Sequence, residues 1–68
     1  MKMISRMITK RNTQSMIKAM REAGMIVNKI ESGYTANGFD NDGNEVLVFR
    51  AMVGHSGYLV RFSDNLFV

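Results

Sequence analysis

The sequence predicts an α+β domain, an N-terminal helix packed on a three-stranded antiparallel meander. Three observations carry this expectation. Residues 13–23 repeat apolar side chains at helical spacing, the chain after Gly24 alternates at a period of two, and clusters of turn formers separate the alternating runs.

Within the helix, Met16, Ala19, Met20 and Ala23 fall on one stripe flanked by Ile17, while Gln14, Lys18 and Arg21 occupy the other side. Asn12 or Thr13 supplies a capping oxygen at its start, and Gly24 fits the C′ position that needs a positive φ. Met3, Ile4, Met7 and Ile8 also have helical spacing, but they rotate to the side opposite Met16 and Met20. One straight helix cannot bury both sides in one core. Either a break falls near Arg11-Asn12, or residues 2–9 form a strand. Their alternation is poor, which favours a separate short helical turn before the helix.

The first strand is expected through Ile26, Ile30 and Tyr34, with Asn28 and Ser32 between them. Val46 to Val53 is apolar except for Arg50, as in a central strand covered on much of both faces. Tyr58, Val60 and Phe62 alternate with Leu59, Arg61 and Ser63 in the third strand. Residues 37–44 are dense in turn formers, and Gly54-His55-Ser56-Gly57 is short enough for a tight hairpin. The expected core is Met16, Met20, Ile26, Ile30, Val46, Val48, Val60 and Phe62. Ser32-Gly33-Tyr34 precedes Asp40-Asn41 by the same offset at which Ser56-Gly57-Tyr58 precedes Asp64-Asn65. Turn composition alone can produce that echo.

Sixty-eight residues make a single small domain, 1–68. A chain of this size buries only about 60% of its unfolded surface, so self-association as a homodimer is expected to help. With no cysteine, there is neither a disulfide framework nor a thiolate metal site, which is compatible with a cytoplasmic location. No apolar run approaches the roughly 18 residues of a membrane span, so no membrane partner is expected. The acid-free, amphipathic start is similar in composition to an organelle transit peptide, yet the chain opens on Met1 and the segment is expected to stay with the domain. Six of the seven methionines fall by residue 25, where they suit irregular core gaps.

No catalytic constellation emerges. Asp40, Asp42 and Asn44 imitate the first calcium ligands of a helix–loop–helix site, but Glu45 stands where glycine is needed and Ala51 where the bidentate glutamate belongs. His55 and Ser56 are neighbours in a turn, a poor geometry for a base and its nucleophile even with Asp64 nearby in sequence. A zinc site would have to rely on carboxylates, and their spacing points to none. The expectation is no enzyme, no cofactor and no metal.

The run Met16-Ile17-Lys18-Ala19-Met20-Arg21-Glu22-Ala23-Gly24, followed by a strand reaching Ser32-Gly33-Tyr34, resembles the opening of HicA-type mRNA interferases. The resemblance covers about a third of the chain. It implies a small basic domain with a double-stranded-RNA-binding-like fold. In that family the strand carries a glycine-serine-histidine triplet with a catalytic histidine and a C-terminal helix follows. Here Tyr34 stands at the histidine position and no such helix is expected after Phe62, so the resemblance implies binding rather than nuclease activity. The chain also looks like the short, cysteine-free accessory proteins of bacteriophages, many of which block host proteins.

Charge is the strongest functional signal. Lys2, Arg6, Lys10, Arg11, Lys18 and Arg21 precede the first acid, Glu22, and six acids against Lys29, Arg50 and Arg61 follow. The net +3 is thus a +6 segment joined to a −3 segment. A one-signed patch attracts anionic partners and speeds encounter with them. Lys10, Arg11, Gln14, Lys18 and Arg21 are the candidate contact residues, and the partner is an acidic protein surface or a nucleic acid. The expected function is a non-enzymatic protein-binding inhibitor or adaptor, using the basic helix and a sheet edge. The alternative is a small nucleic-acid-binding module that contacts phosphates through the same helix.

Overall fold

The computed structural model describes residues 2–64. Its elements are β1 (Met3–Ile8), α1 (Lys10–Glu22), β2 (Ile26–Ile30), β3 (Gly33–Phe39), β4 (Glu45–Val53) and β5 (Tyr58–Ser63). The strands form one sheet in the order β1-β5-β4-β3-β2, every neighbouring pair antiparallel. Helix α1 carries the chain from one edge strand to the other across a single face of that sheet.

The α+β class stands, but the sheet has five strands rather than three. The first addition is β1, read from the sequence as a helical turn. It pairs along its length with β5, from Met3 opposite Ser63 to Ile8 opposite Tyr58. Ile4 and Ile8 share the helix-covered face while Met3 and Met7 share the other. A strand with apolar residues on both faces produces doublets four residues apart, the same signature as one side of a helix. The second addition comes from splitting the first predicted strand. Glu31 and Ser32 form a two-residue turn, so β2 and β3 pair with Ile30 opposite Gly33. Counting alternation through that turn put Tyr34 with Ile26 and Ile30, whereas Tyr34 lies on the helix side and the isoleucines on the opposite face. Strand β3 then continues through Asn37-Gly38-Phe39, and the turn is only Asp40–Asn44.

Helix α1 begins three residues earlier than its periodicity suggests. Thr9, rather than Asn12 or Thr13, is the N-cap, its Oγ1 accepting from the Asn12 N–H at 3.2 Å. Thr13 is instead buried, and its hydroxyl donates to the Thr9 carbonyl at 2.9 Å. Replacing Thr9 with alanine should cost about 1 kcal/mol, read as a fall of about 4–8 °C in melting temperature. At the other end Gly24 has φ +85°. The Met25 N–H reaches the Met20 carbonyl and the Gly24 N–H that of Arg21, both at 3.0 Å, completing a Schellman cap.

The core lies between α1 and the facing side of the sheet. It comprises Ile17, Met20, Ala36, Val48, Phe49, Ala51, Tyr58 and Val60. Met16, Val46 and Phe62 pack at its margin, as expected in part, but Ile26 and Ile30 belong to the opposite face. Ala19 and Ala23 are exposed, because the buried stripe runs through Thr13, Ile17 and Met20. A bulge in β4 explains the apolar run there. Ala36 pairs with Phe49 and Asn37 with Leu47, so Val48 is the extra residue and joins Phe49 in the core. Strand β4 is central, as predicted, but covered on one face only; Leu47 and Met52 are 49% and 37% exposed.

The sequence echo has a structural counterpart. Gly33 opens β3 at φ +151° and Gly57 immediately precedes β5 at φ +156°, and a Cβ there would overlap the carbonyl oxygen of Ala51 or Ile8 respectively. Each glycine is followed by a tyrosine on the helix side, and the two rings lie 6.2 Å apart, tilted by 58°. Two hairpins that need the same close backbone approach and the same aromatic filler reach the same tripeptide.

Candidate functional site

Helix α1 presents its predicted contact residues to solvent. Lys10, Arg11, Gln14, Lys18 and Arg21 are all exposed. At 100° per residue they fall within an arc of about 100° and span roughly 16 Å along the axis. The placement follows from the burial of Thr13, Ile17 and Met20 on the other side of the same helix. Gln14 is additionally tied to the sheet, its amide 3.5 Å from the Tyr34 hydroxyl. No large apolar side chain interrupts the stripe; the other exposed residues between Lys10 and Glu22 are Asn12, Ser15 and Ala19.

The electrostatics of the stripe are uncompensated. Among the described residues none of its cations forms an ion pair. The first turn contains no acid, so Lys10 and Arg11 sit at the positive end of the helix dipole. That arrangement costs about 0.3–1 kcal/mol per charge, whereas Arg21 in the last turn is favourably placed. Stability alone would choose acids at positions 10 and 11.

Sequence reasoning missed two further cations on this side. By strand register Arg6 shares the helix-covered face with Ile4 and Ile8, and Lys29 pairs with Tyr34 there. Both are exposed and extend the cationic surface beyond the helix. Their faces could not be assigned while β1 was read as helix and β2 as running into β3. A third omission is the pair Arg50 and Arg61. They stand opposite each other on β4 and β5, exposed on the sheet face away from α1. The one interruption in the Val46–Val53 run was their available signal.

The turns hold no assembled reaction centre among the described residues. The Asp40 carboxylate is occupied by its own hairpin, accepting from the N–H groups of Asp42 and Asn44 at 2.9 Å each. Gly43 at φ +82° closes that turn. Among the described residues no group of three or more His, Cys, Asp or Glu side chains is placed to hold a metal. His55 and Ser56 border a half-open cavity of about 350 Å³ with Lys10, Val53 and Tyr58. Asp64 follows the opposite end of β5, roughly 20 Å away along the strand. The three residues of the sequence triad are therefore not brought together. Tyr34 is half-buried and engaged with Gln14.

No family model, curated protein or solved structure matches this chain. Among the described residues no helix is long and apolar enough to cross a membrane.

Proposed function

We propose that this protein is a non-catalytic module that binds a nucleic-acid backbone through the solvent stripe of α1. One observation carries the reading. Four cations lie along one helix face with no large apolar side chain among them, and two of them stand where the helix dipole opposes them. A protein interface draws its strongest contacts from buried apolar or aromatic anchors at its centre. Phosphates need none, since each neutralised phosphate releases counterions and drives binding by itself. The stripe supplies positive charge without a hot spot, and that chemistry suits phosphate.

Contacts of this kind position a partner but do not read sequence, so affinity should be similar for different oligonucleotides. Arg6 and Lys29 flank the stripe and would widen the footprint. The protein-binding adaptor or inhibitor reading is favoured by a different feature, the uncovered side of the sheet, and the two activities are compatible in one molecule. A homodimer formed by pairing β1 or β2 edges would leave both surfaces accessible.

The test is a salt titration of binding to a mixed-sequence duplex. With about four phosphates neutralised, log K should fall against log salt at a slope near −3 to −4. The double variant Lys18→Glu, Arg21→Glu should lose binding while keeping its helical circular dichroism, since exposed substitutions usually change stability by less than about 0.5 kcal/mol. Unchanged binding by that variant would contradict the proposal.

A further inference from the structure

The face of the sheet turned away from α1 is organised in rows. Register places Asn28, Thr35, Arg50, Arg61 and Ser5 side by side across all five strands, a polar band from edge to edge. Next to it runs an apolar row in which Met52, Leu59 and Met7 are neighbours on β4, β5 and β1. These three are 37%, 48% and 59% exposed, and Leu47, on the other side of the band, is 49% exposed. A helix layer covers one side of the sheet; no described element covers this one.

Size and charge together narrow the occupant. Five strands at about 4.8 Å, and about three rows at about 6.8 Å, give a face of roughly 500 Å². That face, part apolar row and part polar band, has room for one helix of about 10 Å diameter. A second copy docking face to face would bring four guanidinium groups together at the centre, because Arg50 and Arg61 are direct cross-strand neighbours. Like charges so placed repel one another. Among the described residues neither arginine has an ion-pair partner within the chain. Unpaired bases would want aromatic platforms beside the cations. The exposed aromatic of this face, Phe39, lies at the far end of β3, opposite Glu45. An apolar row beside a cationic band matches a single element with an apolar stripe and an acidic flank.

We infer that the open face docks an amphipathic helix of a partner protein, its apolar stripe on Met7, Leu59 and Met52 and its acidic flank on Arg50 and Arg61. The sheet is about 24 Å wide across its strands, so about 16 helical residues would cross it. This is helix-in-groove recognition, with the arginines fixing orientation and polarity. It is independent of phosphate binding, which uses the opposite side of the molecule.

The probe is a synthetic 16-residue helical peptide with leucines along one stripe and glutamates on its flank. Its control carries lysine in place of every glutamate, and a thymidine oligonucleotide serves as the nucleic-acid arm. Each is titrated into the ¹⁵N-labelled full chain. The glutamate peptide should shift the amides of residues 50–52, 59–61 and 5–7. The double variant Arg50→Glu, Arg61→Glu should bind it at least tenfold more weakly and should gain affinity for the lysine peptide. Lys18→Glu, Arg21→Glu should leave peptide binding unchanged, which separates this site from the stripe on α1. Four outcomes overturn the inference. They are no shift on this face at millimolar peptide, equal binding of both peptides, shifts there from the oligonucleotide instead, and a dimer at tens of micromolar that Leu59→Asp dissolves. Folding of each variant is checked by the dispersion of its own spectrum.

Discussion

Phe49→Ala should leave the chain largely unfolded at room temperature. Phe49 is the largest of the fully buried side chains, lies in the middle strand, and pairs with Ala36 beside the β4 bulge. Removing a buried phenylalanine costs about 3–5 kcal/mol through lost transfer energy and the cavity left behind. The whole stability of a domain this size is roughly 3–10 kcal/mol, so the loss consumes a large part of it. Urea unfolding followed by circular dichroism gives the answer. The midpoint should fall far below that of the parent chain or disappear into the baseline. A shift of less than about 1 kcal/mol would mean that Phe49 does not fill the layer between helix and sheet.

Gly33→Ala should be comparably damaging, although it adds only one methyl group. Its Cβ would overlap the backbone oxygen of Ala51, and backbone cannot swing away as a side-chain tip can. The φ of +151° adds conformational strain for any L-residue. Overpacking and strain together should cost about 3–5 kcal/mol. Gly24→Ala is the informative control. Nothing lies within 4 Å of a Cβ there, so only the φ of +85° opposes the change and about 1–2 kcal/mol is expected. Equal losses in the two variants would show that the close approach of β3 to β4 carries no weight.

Legibility in the sequence followed how local each signal was. The helix and its Gly24 cap were readable because periodicity and capping are set within a turn or two. The hairpin at Gly54–Gly57 and the alternation of Tyr58, Val60 and Phe62 were readable for the same reason. Strand β1 was not, since its apolar residues line both faces and its identity comes from pairing with β5, more than fifty residues away. The Glu31-Ser32 turn contains neither asparagine nor proline, and the adjacent Gly33 was counted into a strand. Gly38 misled in the other direction. It lies inside β3, buried on the helix-facing side against Val48, and there it is a strand residue and not part of the turn.

The candidate site divides similarly. Exposure of Gln14, Lys18 and Arg21 needed only the helical period, whereas Lys10 and Arg11 join the same accessible face because α1 starts at Lys10, ahead of the periodic segment. The stripe actually buried is rotated toward Thr13 and Ile17, but the cations stay clear of it either way. Arg50 and Arg61 could not be paired by inspection. Their adjacency depends on the register across a hairpin and on a bulge in β4 that resets the alternation.

If the helix stripe, and not the sheet, holds the nucleic-acid backbone, amide chemical-shift mapping with a mixed-sequence duplex at low salt will locate the contact. Shifts should concentrate on residues 10–21, with smaller ones at Arg6 and Lys29, all reversed as salt is raised. Shifts confined to β4 and β5, or a helix that stays silent while the duplex binds, would contradict that placement.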